Sequence, residues 1–162
     1  MKKFSTSFIV QASVIAAVYA VLTIAFMPIS YGLMQVRISE ALTVLPVFTP
    51  AAVPGLFVGC LVSNIVGPNG VADVVLGSTA TLIAACATRK LRRWPLLSPM
   101  APVIANAVLI GWELSYIYGL GSLPVCMAWV GLGELIACYG AGIPLMRVLK
   151  KYGASIFQRG MQ

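Results

Sequence analysis

The sequence predicts an all-α integral membrane protein of six transmembrane helices, and three observations lead there. Of 162 residues, 60% are apolar and only 9% are charged, with a mean hydropathy of +0.96; a soluble domain carries about a quarter charged residues. A helix needs roughly 20 apolar residues to cross the hydrocarbon core, so the chain holds about six crossings joined by short loops. The bases are segregated by segment in the pattern that such a path requires. Residues 1–162 are therefore expected to form one membrane domain, with no nucleotide-binding domain and no GxxxxGK[ST] phosphate loop.

The first expected span covers residues 8–28. Lys2 and Lys3 before it resemble the start of a signal peptide, but the apolar run is too long for a signal core and further spans follow. After the polar link "ISYGLMQVRIS" comes a short span at 40–49, interrupted by Pro46 and followed by Pro50 and Pro54, which call for a tight turn. The third span is placed at 54–66, and "GPNG" at 67–70 is a strong turn signal. The fourth span, 71–88, ends in "RKLRR"; the fifth is 100–118, ending before "GLGS"; the sixth is 123–146, ending in "RVLKKYG".

Starting from an inner N-terminus, six spans place Lys2, Lys3, Arg89, Lys90, Arg92, Arg93, Arg147, Lys150, Lys151 and Arg159 on the cytoplasmic side and leave only Arg37 outside. That is the asymmetry the positive-inside rule demands. It also explains the net charge of +7 without nucleic acid as a partner. A single crossing over 40–66 would turn "RKLRR" outward and break the rule.

Only four acids are present, and their places carry the functional argument. Glu40 opens the second span, Asp73 the fourth, Glu113 lies about 9 Å below the outer end of the fifth, and Glu134 lies about 18 Å into the sixth. Charges inside a membrane are costly and point to function. Arg37 and Glu40 also suit a local i,i+3 pair, Asp73 a helix start, and Asn64 and Asn106 interhelical hydrogen bonds. Glu113 and Glu134 have no such alternative, because neither lies at a helix end or near a base. Tyr31, Trp112, Tyr116, Tyr118 and Trp129 fall in the same outer half, as an interfacial belt or, for one or two of them, as stacking surfaces for a flat ligand.

Ala12, Ala16 and Ala20 recur every four residues, a stripe that admits close approach of another helix, either a neighbouring span or a partner protein. Cys60, Cys86, Cys126 and Cys138 lie in apolar stretches without CxxC spacing, and the chain has no histidine. They read as small buried hydrophobes, and neither a metal nor a cofactor is expected. Without a nucleophile–base pair, an enzyme is not expected either.

The run "QVRISEALTVLPVFTPAAVPGLFVGCLVSN" closely resembles the signature of the QueT family, and the likeness continues through "GSTATLIAA", "IANAVLIG", "YIYG" and "GLGELIACYGAGIPL", about residues 8–150. The resemblance implies a substrate-binding S-component of an energy-coupling factor (ECF) transporter for queuosine precursors, in a bacterial plasma membrane. It implies the six-helix S-component fold, docking through Ala12, Ala16 and Ala20 onto a membrane T-component and two cytoplasmic ATPases, and a ligand held near the outer face. Arg37, Glu40, Asn64, Asp73, Asn106, Glu113, Tyr116 and Glu134 are the candidate ligand contacts. A 7-deazaguanine offers adjacent N–H and NH₂ donors to a carboxylate, and the 7-aminomethyl form adds an ammonium that the 7-cyano form lacks. Surplus acids therefore favour the aminomethyl compound. The competing expectation is a self-sufficient, proton-coupled secondary transporter of a small heterocycle, with Glu113 and Glu134 as a proton relay.

Overall fold

The computed structural model describes residues 5–31 and 34–157, with side chains as far as residue 152; Lys2, Lys3 and Arg159 lie outside the described residues. Among the described residues seven α-helices run in order: α1 (Thr6–Ala25), the short α2 (Met27–Ser30), α3 (Ala52–Val66), α4 (Val71–Lys90), α5 (Met100–Tyr116), α6 (Leu123–Leu135) and α7 (Gly142–Phe157). A 3₁₀ helix, Ile38–Val47, precedes α3, and a π-helical segment, Ile136–Ala141, joins α6 to α7. Helix satisfies each backbone group within its own segment, which an apolar solvent requires.

Sequential helices pack as neighbours: α1 on α3, α3 on α4, α4 on α5, and α5 on α6. The 3₁₀ helix sits among them, against α1, α3, α4, α7 and the π segment. Ile15, Tyr19, Leu45, Leu56, Cys60 and Ala85 form one apolar core, and Ile110, Leu114, Cys126 and Val130 a second between α5 and α6. Between these cores the interior is polar: Thr23, Ser39, Glu40, Thr43, Asn64, Asp73, Asn106, Glu113 and Glu134 are all buried, while Val10, Val14, Val21, Ile65 and Ile104 stand exposed. Apolar surface around a polar interior is the arrangement lipid selects.

The expectation of six transmembrane helices is corrected here. Among the described residues three helices are long and apolar enough to cross a bilayer: Thr6–Ala25, Val71–Arg93 and Leu123–Tyr152. Twenty residues of α-helix reach about 30 Å, the thickness of the hydrocarbon core. The 15 residues of α3 reach about 22 Å and the 17 of α5 about 25 Å. The span expected at 40–49 is a ten-residue 3₁₀ helix, about 20 Å long. The topology with both ends inside rested on six crossings and falls with them.

The alanine stripe is used within the chain. A Cβ at Gly55 would lie 2.7 Å from the Ala12 carbonyl oxygen, and one at Gly59 would lie 2.8 Å from that of Ala16. Two α3 glycines thus let α1 and α3 approach backbone to backbone, and Ala20 is buried. These contacts give the stripe a role inside the chain, and Ala12 and Ala16 also border a groove of about 100 Å³.

A second glycine contact gives a prediction. A Cβ at Gly133 would fall 1.9 Å from the Met34 carbonyl oxygen, whereas one at Gly140 meets nothing within 4 Å. Overpacking typically costs about 1–3 kcal/mol, and here a main-chain segment must move. Gly133→Ala should therefore lower the melting temperature clearly and Gly140→Ala should not; equal effects in a thermal melt would refute the contact.

Candidate functional site

The geometry of the site starts with the 3₁₀ helix. At three residues per turn, side chains at i and i+3 eclipse, so Arg37, Glu40 and Thr43 form one ridge directed into the interior, all buried. Arg37 and Glu40 share this ridge but pair with different partners. Arg37 Nη2 lies 3.2 Å from Asp73 Oδ2 of α4, its Nε donates to the Ser30 carbonyl at 3.2 Å, and its guanidinium lies 5.1 Å from the Tyr31 ring centroid. The Tyr19 hydroxyl donates to Glu40 Oε1, and Thr43 Oγ1 donates to the Glu40 carbonyl at 2.5 Å. At the far end of the helix, Arg89 Nη1 donates to the Pro46 carbonyl at 2.9 Å, satisfying an end that lacks helical partners.

Asp73 is further fixed by its neighbours. Asn69 Nδ2 donates to its Oδ2 at 3.4 Å, and Asn64 Nδ2 to its backbone carbonyl at 2.9 Å. Gly77 makes room for that amide, since a Cβ there would stand 2.5 Å from Asn64 Nδ2. Tyr31 donates to the Ser63 carbonyl at 2.6 Å.

Beside this network lies a cavity of about 350 Å³, lined by Tyr31, Gln35, Pro68, Asn69, Leu114, Tyr118 and Leu120. That volume suits a small heterocycle. Glu113 adjoins two of its walls: it precedes Leu114, and Tyr118 is its polar neighbour. Yet the Tyr118 hydroxyl donates to the Asn69 carbonyl, and both Glu113 carboxylate oxygens are buried without a hydrogen-bond partner. A buried carboxylate of this kind is expensive to hold. Gln35 has left-handed backbone at φ 44°, an unusual conformation for a residue with a side chain and one that gathers at functional sites.

A second cluster is built from the 3₁₀ helix, α5, α6 and the π segment. Asn106 Nδ2 donates to Glu134 Oε1 at 2.8 Å, and Cys138 Sγ, one helical turn on, lies 3.5 Å from Glu134 Oε2. Cys138 also meets the Glu40 carbonyl and the Thr43 hydroxyl, each at 3.7 Å. The second oxygen of Glu40, Oε2, has no partner.

The sequence matches the QueT transporter profile over residues 9–151. The chain belongs to the QueT family of transporters. It is also 36% identical over 85 residues to the queuosine precursor transporter QueT of Lactococcus lactis subsp. cremoris (strain MG1363), a match covering 51% of this chain and 50% of that protein. This chain thus spans about half the length of the relative it matches. No solved structure matches it.

The QueT family is a transporter family, and the candidate spans among the described residues fit a multi-pass membrane protein. The QueT assignment does not carry the S-component role with it. Three candidate spans among the described residues do not make the six-helix ECF S-component fold, so the ATP-driven importer, its T-component and its two ATPases are corrected along with the fold.

Within this QueT chain, Arg37, Asp73 and Asn64 form one network and Glu40, Asn106 and Glu134 another, with Glu113 beside the cavity. Tyr116 stands apart, 66% exposed and 5.6 Å from the Trp112 ring. Sequence reasoning did not single out Tyr19, Gln35, Asn69 or Cys138. Tyr19 and Cys138 sit in apolar runs, and Asn69 looked like a turn residue. The signal available for Asn69 was its place four residues before Asp73.

Proposed function

We propose that this QueT-family chain, in a bacterial plasma membrane, binds a queuosine precursor beside Glu113 and carries it as a self-sufficient, proton-coupled transporter. The observation that carries the reading is Glu113, whose two carboxylate oxygens are buried and unpartnered next to a cavity of about 350 Å³ with Tyr31 and Tyr118 in its wall. A 7-deazaguanine supplies adjacent N–H and NH₂ donors that match a carboxylate in bidentate fashion. A tyrosine face adds stacking worth about 1–3 kcal/mol per base, and Gln35 and Asn69 offer amides to the ring's remaining polar atoms. The aminomethyl form is favoured over the cyano form because its ammonium can be drawn to the Glu113 carboxylate. Support for the ligand class comes from the family profile and from the name of the lactococcal relative. A buried carboxylate that accepts ligand donors can also take up a proton, which supplies the coupling.

The test is uptake of labelled 7-aminomethyl-7-deazaguanine into liposomes containing only the purified chain. Uptake that follows an imposed pH gradient and collapses with a protonophore is the expected result. No uptake under the gradient, or uptake indifferent to it, would refute self-sufficient carriage. Calorimetry with the aminomethyl compound, the cyano compound and guanine tests the ligand assignment separately; equal weak heats for all three would remove it.

A further inference from the structure

We propose that Glu40, Glu134 and Cys138 form a binding site for a thiophilic divalent cation of the zinc class. One carboxylate oxygen from each glutamate and the Cys138 sulfur all lie within 4.8 Å of one another. The three side chains are buried at 0%, 2% and 0% exposure and come from three separate elements, the 3₁₀ helix, α6 and the π segment. A cluster of acids alone would not argue for a cation, but a second observation does. Glu40 Oε2 is wholly buried and has no hydrogen-bond partner, although its sister oxygen is held by Tyr19.

Electrostatics points the same way. Arg37 is committed to Asp73 at 3.2 Å, and no other base pairs with either glutamate among the described residues. Two buried carboxyl groups this close either keep protons or take a cation, and a cation would also give Glu40 Oε2 the partner it lacks. The donor set then selects the ion: sulfur disfavours magnesium and calcium, which take oxygen ligands, and favours zinc-class ions. In a tetrahedral site with metal–oxygen bonds of about 2.0–2.2 Å and a metal–sulfur bond of about 2.3 Å, ligand atoms stand roughly 3.5 Å apart. Rotation about the side-chain bonds closes the remaining distance.

Three protein ligands leave a fourth position open, with the Thr43 hydroxyl 3.7 Å from the sulfur. The supporting contacts are also in place, since Asn106 orients Glu134 and Tyr19 orients Glu40; such partners fix metal ligands. On binding, the sulfur–metal bond forms as the thiol loses its proton to solvent, together with any proton on the carboxylates. No electron changes hands. The cysteine therefore acts through its sulfur, beyond the small-hydrophobe role its apolar surroundings suggest.

The experiment is titration of the purified full chain with Cd²⁺, read by the ultraviolet thiolate-to-cadmium band, with Zn²⁺ as competitor. One equivalent should raise the band, Zn²⁺ should remove it, Cys138→Ser should abolish it, and Cys86→Ser, on an exposed cysteine, should keep it. Glu134→Gln should weaken binding at least about tenfold, and Asn106→Leu by about 10- to 100-fold. X-ray absorption on the wild-type chain loaded with Cd²⁺ decides the case even if a variant fails to fold. One sulfur with the remaining ligands oxygen is expected. A band that survives Cys138→Ser, a shell with no sulfur or with two, or less than one equivalent bound would overturn the site. None of these readouts depends on transport.

Discussion

Arg37→Met should destabilise the folded chain by about 3–5 kcal/mol, the cost of removing one partner from a buried ion pair. The side chains of Arg37 and Asp73 are 4% and 1% exposed, so solvent cannot take over the lost partner's role. Asp73 would keep only the 3.4 Å contact from Asn69 on its carboxylate, and the Ser30 carbonyl and the Tyr31 face would lose a donor and a cation. Because Tyr31 lines the cavity, the same substitution should also weaken ligand binding. Adding Asp73→Asn removes the orphaned charge and should recover much of the stability, since replacing both members of a buried pair is often nearly neutral. Thermal melts of the two single variants and the double variant in detergent form the cycle. Should the double variant lose as much as the two singles summed, the pair is not a coupled unit and the account given for Arg37 is wrong.

The positions of most helices were legible in the sequence, while their lengths and mutual contacts were not. Turn signals at "GPNG" and "GLGS" placed the breaks that separate α3 from α4 and α5 from α6. Length misled the reading, because an apolar run flanked by turns looks the same whether its helix has 15 residues or the 20 a crossing needs. The segment from Ile38 to Val47 misled it most. Read as α, it is a short span; as a 3₁₀ helix it stacks Arg37, Glu40 and Thr43 on one ridge and sits at the centre of the molecule. The site was legible as a list of rare polar residues in a greasy chain. Its partition was not, because Glu40 and Cys138 meet across 98 residues, and Arg37 and Asp73 across 36. No local pattern encodes contacts of that range.

The sharpest test of Glu113 is that losing it should stabilise the protein while disabling it. Its carboxylate is buried and neither oxygen makes a hydrogen bond of good geometry, so the folded chain carries a desolvation cost of about 1–3 kcal/mol. Glu113→Leu removes that cost with a side chain of similar size, so the melting temperature of the ligand-free chain should rise. The same change should reduce affinity for 7-aminomethyl-7-deazaguanine by roughly 10- to 100-fold, the equivalent of about 1.5–3 kcal/mol for hydrogen bonds to a charged group. Glu113→Gln should fall between, since an amide retains one acceptor oxygen but loses the charge. Melting and calorimetry on the same preparations separate the alternatives. A residue whose role is structural would lose stability and affinity together. A residue kept for the ligand moves them in opposite directions, because the ligand's donors are the partners its oxygens lack in the empty chain.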